Sequence, residues 1–220
     1  RQRDEEILSA ALRVFARHGV AKARISDIAA EAGIPAPSLY GYYENKEELA
    51  YAIPVKRQVQ FFAEYAEQSE KFDTVYEQLR HFLWLTTDYA RRNPDWARVL
   101  YLEVWPSVWI KDTPIRDVLD DYGRIILGMV REGAENGEWP EPEDPYLQTT
   151  IFIGSINQII TVWLLYRRPK NLAVGSRQLI AKTMELLSPR KSIAEPFIQA
   201  AKAAKASAGK VPRPKKAAVA

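Results

Sequence analysis

The sequence predicts an all-α protein of about nine helices, a three-helix N-terminal unit followed by a larger helical body. Three observations predict it. Apolar residues recur at spacings of three and four along most of the 220-residue chain, and no stretch makes a convincing strand. Glycines, Asn-Pro and Asp-Pro pairs interrupt that pattern where helix ends are expected. Between Arg24 and Leu49, two short helical patterns flank a glycine, which is the signature of a helix-turn-helix.

Composition narrows the class. A chain that is 47% hydrophobic and 27% charged is a soluble globular protein. With no Cys there is no disulfide framework, thiolate metal site or cysteine nucleophile. His18 and His81 lie far apart and read as surface or helix-end residues. The chain starts at Arg1 rather than Met, which points to a trimmed start, and no signal-peptide pattern follows. A cytoplasmic location is expected. The formal charge of +3 conceals an asymmetry. Residues 188–220 hold eight Lys or Arg and one Glu, a charge of +7 that leaves −4 on residues 1–187.

The elements follow in order. Asp4 to His18 is an amphipathic helix with Ile7, Leu8, Ala11, Leu12 and Phe15 inward, closed by Gly19. Ile25, Ile28, Ala29 and Ala32 stripe a second helix, and Gly33 supplies its left-handed C-cap. Ile34 plugs the corner. A third helix opens at Pro35 to Pro37, where the first turn has no use for an N–H, and runs to Tyr42 or Tyr43. Leu39 and Tyr43 share its inner face, leaving Ser38, Tyr40, Gly41 and Tyr42 facing elsewhere. Such a second helix is of the kind that enters a DNA major groove. Arg13, Arg17, Lys22, Arg24 and Lys46 are the local source of positive potential.

Asn45 caps a long helix from Lys46 to about Gln68, in which Pro54 predicts a kink or local break. Asp73 to Arg92 carries Val75, Leu79, Phe82, Thr86 and Tyr89 on one stripe and stops at Asn93-Pro94. Asp95 caps a shorter helix through Trp105, before Pro106. Thr113-Pro114 opens a helix to about Gly137, and a Pro-rich acidic linker, WPEPEDP, follows. Asp144-Pro145 opens another to about Arg167, and Ser176 caps the last, to Leu187. Ile151 to Tyr166 is the most apolar run, shorter than the roughly 18–20 residues of a bilayer span, so no membrane is expected. Being apolar nearly all round, it must be buried on more than one side. The tail lacks apolar periodicity after Ile198 and reads as disordered, either adding non-specific DNA affinity or simply solvated.

The run Asp27-Ile28-Ala29, Ala32-Gly33-Ile34, Leu39-Tyr40-x-Tyr42-Tyr43 and Lys46-x-x-Leu49 resembles the tetracycline-repressor (TetR) family of bacterial regulators, over about residues 5–55. The resemblance implies a DNA-binding domain at 1–47, an effector-binding and dimerisation domain at 48–187, and the tail 188–220. It places Pro37, Tyr40 and Gly41 against base edges, and Ser38, Tyr42 and Lys46 on phosphates of double-stranded operator DNA. Two departures stand out. Arg24 occupies the position where the family caps with Ser or Thr, so the helix forgoes a cap worth roughly 1 kcal/mol. Its guanidinium, with Ser26 in the next turn, is assigned to DNA instead. Gly41 replaces a larger residue, so base reading there is weak. The resemblance also implies a homodimer paired through the last two helices. Gly154 and Ser155 would permit close approach, and Ile160 would lie within the interface. The alternative is a helix central to a monomer core.

Tryptophans 84, 96, 105, 109 and 163, with Tyr101, concentrate in the body, either as core filling or as walls of an aromatic cavity. The cavity reading assigns a small-molecule effector to Trp84, Tyr101, Trp105, Trp109, Arg124 and Asn157, with Gln158 as a further anchor. RVLYLEVWPSVW and IFIGSINQIITVW look somewhat like members of the family that answer to fatty acyl-CoA thioesters. The function implied is a dimeric repressor released from its operator by a lipophilic or aromatic ligand. A regulator answering to a protein partner is the alternative. An all-helical enzyme is the third reading, and only Glu103, Asp88 and His81 offer it titratable groups. No cofactor, metal or catalytic residue is expected.

Overall fold

The computed structural model describes residues 2–107 and 115–187. Trp109, the Thr113-Pro114 helix start and the basic tail lie outside the described residues. Residues up to Leu187 form one compact unit. Its helices are α1 (Gln2–His18), α2 (Ile25–Ala32), α3 (Ala36–Leu39), α4 (Lys46–Ser69), α5 (Val75–Arg92), α6 (Pro94–Arg98), α7 (Ile115–Glu135), α8 (Pro145–Tyr166) and α9 (Leu172–Met184). A π-helical segment, Val99–Val104, continues α6, and a 3-10 turn, Glu185–Leu187, ends α9. The described residues contain no strand.

The N-terminal unit packs α1 on α2 and α4, burying Ile7, Phe15, Ile28, Leu39 and Leu49 almost completely. In the body α5 is central, touching α4, α6, α7, α8 and α9, with Leu79, Phe82 and Leu83 fully buried. Most caps are those that local chemistry predicts. Gly19 and Gly137 take positive φ at helix ends. Asn45 accepts from Glu48 N–H at 2.8 Å, and Asp144 accepts from Tyr146 and Leu147 N–H. The start of α5 is held twice. Thr74 caps it, and the Glu138 carboxylate accepts Val75 and Tyr76 N–H, each at 2.8 Å.

Five expectations are corrected. Helix α3 ends at Leu39, three or four residues early. Gly41 disfavours helix by about 1 kcal/mol, and Asn45 must be extended (φ −152°, ψ 172°) to cap α4. Helix α4 runs unbroken through Pro54, because Leu49, Ile53 and Phe61 are buried around it and outweigh a proline penalty of about 3 kcal/mol. Helix α6 begins at Pro94, so Asn93 rather than Asp95 flanks it. Helix α9 begins after Asn171, whose side chain accepts from Val174 N–H, while Ser176 is interior and donates to the Leu172 carbonyl at 2.7 Å. Finally, His81 is no surface residue. It stacks on Tyr65, lies 4.8 Å from Phe72 between ring centres, and burial pushes its pKa down.

Helix α8 runs where the sequence placed it and contains the apolar run. The helix is 22 residues long with a mean hydropathy of 1.4 over its most apolar window, enough by length and composition to cross a bilayer. One face, Phe152, Ile156, Ile160 and Leu164, fills the core. Only 28% of that window is buried, however, so much of α8 remains uncovered. Ile160 is fully buried within the chain itself, and Ile160→Arg would damage the fold rather than an outer face.

A polar cluster ties the two parts of α4 to α1. Asp4 accepts from the Tyr43 hydroxyl and, at 2.8 Å, from Lys56, which also lies 3.5 Å from Glu5. Burial alone would raise the Asp4 carboxyl, but hydrogen bonds from Lys56 and Tyr43 outweigh it and hold the group below its ordinary range. Burial and the Asp4 charge push Tyr43 upward. A carboxylate with a lowered folded pKa contributes stability above its unfolded pKa and loses it as pH falls. Asp4→Asn should therefore lower the urea midpoint at pH 7, and the deficit should begin to shrink as pH falls below about 4 and close only as pH falls through the lowered folded pKa. A deficit constant with pH would mean that the ion pair contributes nothing.

Candidate nucleic-acid interface and internal cavity

The corner between α2 and α3 is set by backbone chemistry. Gly33 adopts φ 66°, ψ 34°, and Ile34 N–H closes back on the Ala29 carbonyl at 3.0 Å. Leu39, fully buried, anchors α3 to the unit. After it Tyr42 and Tyr43 N–H both bond the Leu39 carbonyl, at 2.9 and 3.1 Å, so α3 is one helical turn followed by a tight turn. Everything pinned inward there leaves the other side chains outward. Pro37, Ser38 and Gly41 are exposed, and Tyr40 and Tyr42 are 58% and 50% exposed. Ser26 is exposed too. Arg24 stands at the N-cap of α2 in extended conformation with no side-chain cap bond, its guanidinium exposed.

The positive potential is narrower than the sequence suggested. Glu31 of α2 binds Arg13 at 2.7 Å and also Arg17, and those hydrogen bonds hold its carboxyl below the ordinary range. That pairing joins residues 14 and 18 apart in sequence and left no local signal. Lys46 is half-buried, donating to the Ala21 and Ala23 carbonyls at 2.7 and 3.2 Å. It thus buttresses the α1–α2 loop, and only its remaining donor is left for another partner. Lys22 and Arg24 remain exposed.

Within the body, α4, α5, α6, the π-helical segment, α7 and α8 line a void of only about 30 Å³. Ligand pockets usually measure about 300–1,000 Å³, so this one is too small to hold a ligand as it stands. Phe61, Leu100 and Leu119 supply apolar wall, and Trp96, Tyr101, Trp105 and Tyr122 supply rings. Gln58, Thr86 and Asn157 complete the lining, which has no charged residue among those described. Tyr122 and Thr86 hydroxyls bond at 3.0 Å, and Thr86 lies 2.9 Å from the Phe82 carbonyl it donates to. Burial pushes both Tyr101 and Tyr122 well upward.

Three of the six predicted effector residues therefore meet: Tyr101, Trp105 and Asn157. Two do not. Arg124 lies on the outer face of α7, 67% exposed and paired with Asp121. Trp84 packs beside His81, with ring centres 5.6 Å apart, and does not line the void. Trp109 lies outside the described residues. Sequence reasoning missed Gln58, Thr86 and Tyr122. Thr86 and Tyr122 hide on stripes that look like ordinary core, whereas Gln58 left a trace as an amide on the buried stripe of α4. The enzyme candidates do not converge either. Asp88 is taken by Arg91 and Arg92, and His81 sits among aromatic rings. Among the described residues no cluster of three His, Cys, Asp or Glu could hold a metal.

Two elements connect the void to the N-terminal unit. Helix α4 starts at Lys46, just after the turn that follows α3, and delivers Gln58 and Phe61 to the void. The π-helical segment contributes Leu100 and Tyr101, and its Glu103 carboxylate packs on Gly19, where an added Cβ would lie 3.2 Å from Oε1.

Comparison with known proteins agrees with this architecture. Residues 7–53 match the family described as bacterial regulatory proteins, tetR family, and residues 55–187 match the YsiA-like protein C-terminal region. A fatty acid metabolism regulator protein of Bacillus subtilis is 27% identical over 180 residues, 80% of this chain and 90% of that protein. A helix-turn-helix-type transcriptional repressor of Streptomyces coelicolor is 30% identical over 131 residues, 60% of this chain and 64% of that one. The crystal structure of the transcriptional regulator FadR from Bacillus subtilis, in complex with stearoyl-CoA, superposes with a TM-score of 0.76 at 25% identity, covering 82% of this chain and 97% of that one. The fatty acid degradation regulator FadR of Bacillus halodurans shares the fold, with a TM-score of 0.74 at 24% identity over 86% and 96% of the two chains. Regulators of this kind bind operator DNA and small-molecule effectors. The chain belongs to the TetR family of bacterial regulatory proteins and is a DNA-binding transcriptional regulator.

Proposed function

We propose that the chain is a homodimeric, cytoplasmic repressor with no enzymatic activity, whose hold on operator DNA weakens when an acyl-thioester-like ligand opens the void. Residues 1–47 read DNA and 48–187 bind ligand and pair. One observation carries the proposal: a single unbroken helix, α4, has the reading turn at its start and two void-lining residues about 18 to 22 Å along it. The stearoyl-CoA bound by the Bacillus subtilis relative supports the ligand class. Pro37, Tyr40 and Gly41 meet base edges, while Ser26, Ser38, Tyr42 and the free donor of Lys46 meet phosphates. Arg24, spared from capping, reaches phosphate or guanine. Tyr101, Trp105 and Asn157 contact the ligand, joined by Gln58, Trp96 and Tyr122.

The uncovered side of α8 with α9 is the pairing face. Leu165 and Tyr166 are 52% and 69% exposed, Ile159, Val162 and Leu179 edge a shallow depression, and a Cβ on Gly154 would meet nothing within 4 Å. Nothing inside the chain requires that glycine, and its smallness suits a close helix partner. Sequencing the DNA fragments retained by the purified protein tests the whole reading. A two-fold-related site with half-sites about 34 Å apart is expected, and retention without any common motif would refute it.

Three variants divide the roles. Arg24→Ser should raise stability by about 1 kcal/mol through a restored cap while weakening operator binding, and unchanged binding would remove Arg24 from the interface. Lys46→Ala should flatten the slope of log affinity against log salt by about one unit. An unchanged slope would leave Lys46 as a loop buttress only. Val162→Arg should give folded monomers by sedimentation that no longer hold the operator, and an intact dimer would place the interface elsewhere.

A further inference from the structure

The void is lined by more hydrogen-bonding groups than an alkyl chain can use. Trp96 is 4% exposed, and its Nε1 is buried with no hydrogen-bond partner. The Tyr101 hydroxyl (residue 7% exposed) and the Gln58 amide (9%) make no hydrogen bond among the described residues, nor does the Asn157 amide. Thr86 and Tyr122, by contrast, satisfy each other at 3.0 Å. Buried polar groups are nearly always paired, so the orphaned Trp96 donor is not ordinary packing, and Gln58, Tyr101 and Asn157 bring to the same void three more side chains that make no hydrogen bond among the described residues. Trp96 can only donate, and the two amides and the tyrosine can donate or accept. With no Lys, Arg, Asp or Glu in the described lining, an ionised group would enter without a counter-charge.

We propose that Trp96, Tyr101, Gln58 and Asn157 form a binding site for a neutral, oxygen-bearing group of the ligand, a carbonyl or hydroxyl, which accepts from Trp96 Nε1 and bonds the neighbouring amides. The proposal rests on the void being the ligand site. It separates this pocket from one shaped for a bare saturated chain, which would leave the Trp96 donor buried and unpaired. The oxygen belongs either to the thioester and the amide arm beyond it, or to a substituent on the acyl chain. The chemistry at the site is the same in both cases.

The test uses the full chain and four probes: stearoyl-CoA and its analogues carrying a ketone at carbon 6, 9 or 12. Gln58→Leu and Asn157→Leu keep side-chain size, and Trp96→Phe removes the unpaired donor. Loss of a needed partner should weaken at least one probe by roughly 5- to 150-fold. If stearoyl-CoA itself weakens, the oxygen is that of the thioester or arm. If only a ketone analogue weakens, it is on the chain. Because the two amides are unpaired without ligand, the Leu variants should melt at or above the parent temperature, which keeps a binding loss distinct from misfolding. Parent-like affinity for every probe in all three variants would overturn the proposal while leaving the ligand site in place. Failure of every probe to bind the parent would overturn the ligand reading as well.

Discussion

The structure depends on α4 running as one continuous helix. Asn45 caps its start, Lys46 holds the α1–α2 loop by two carbonyls, and Lys56 grips Asp4 at the beginning of α1. A turn further on, Gln58 and Phe61 wall the void. Pro54 removes one internal hydrogen bond but is buried within the packed stretch, so the helix does not break there. The same continuous helix thus joins the void-lining residues to the turn before it and to the contacts around Asp4.

A second strut runs in parallel. The π-helical turn puts Leu100 and Tyr101 on the void and Glu103 against Gly19, and its i+5 bond from Trp105 N–H to the Leu100 carbonyl measures 2.8 Å. Short π-helical segments often mark functional positions in helices, because they trade regular packing for a re-aimed side chain. Here the re-aimed residues are void-lining. The free space at the void is only about 30 Å³, well below the size of an ordinary ligand site, so a ligand there needs these walls to separate. The buried, unpartnered Trp96 donor adds a cost to this packing.

Local chemistry made much of this legible in the sequence. Gly33, Asn45 and Asp144 end or begin helices by rules that need no tertiary context, and the structure uses each as expected. Tyr101, Trp105 and Asn157 stood out as aromatic or amide residues where plain aliphatics would have sufficed. What sequence could not show was tertiary. Arg24, Lys46, Arg13 and Arg17 look alike as cations. One is free, one holds carbonyls, and two share the single carboxylate of Glu31 from another helix. Arg124 looked like a polar anchor, but a charged residue on an amphipathic helix belongs on its outer face, where it pairs with Asp121. Ile160 looked available to a partner because α8 is apolar nearly all round, and only the packing of α5, α7 and α9 shows which side is already used.

The central claim is that void and reading turn share one energetic unit. Linkage makes it testable without knowing the route: a ligand that weakens operator binding must itself be weakened by operator to the same degree. Titrating stearoyl-CoA against tryptophan fluorescence, with and without saturating operator DNA, measures this directly. The account predicts ligand affinity lower with operator by a factor in the range of about 5 to 150. Identical affinities in the two titrations would contradict it, however tightly the ligand binds.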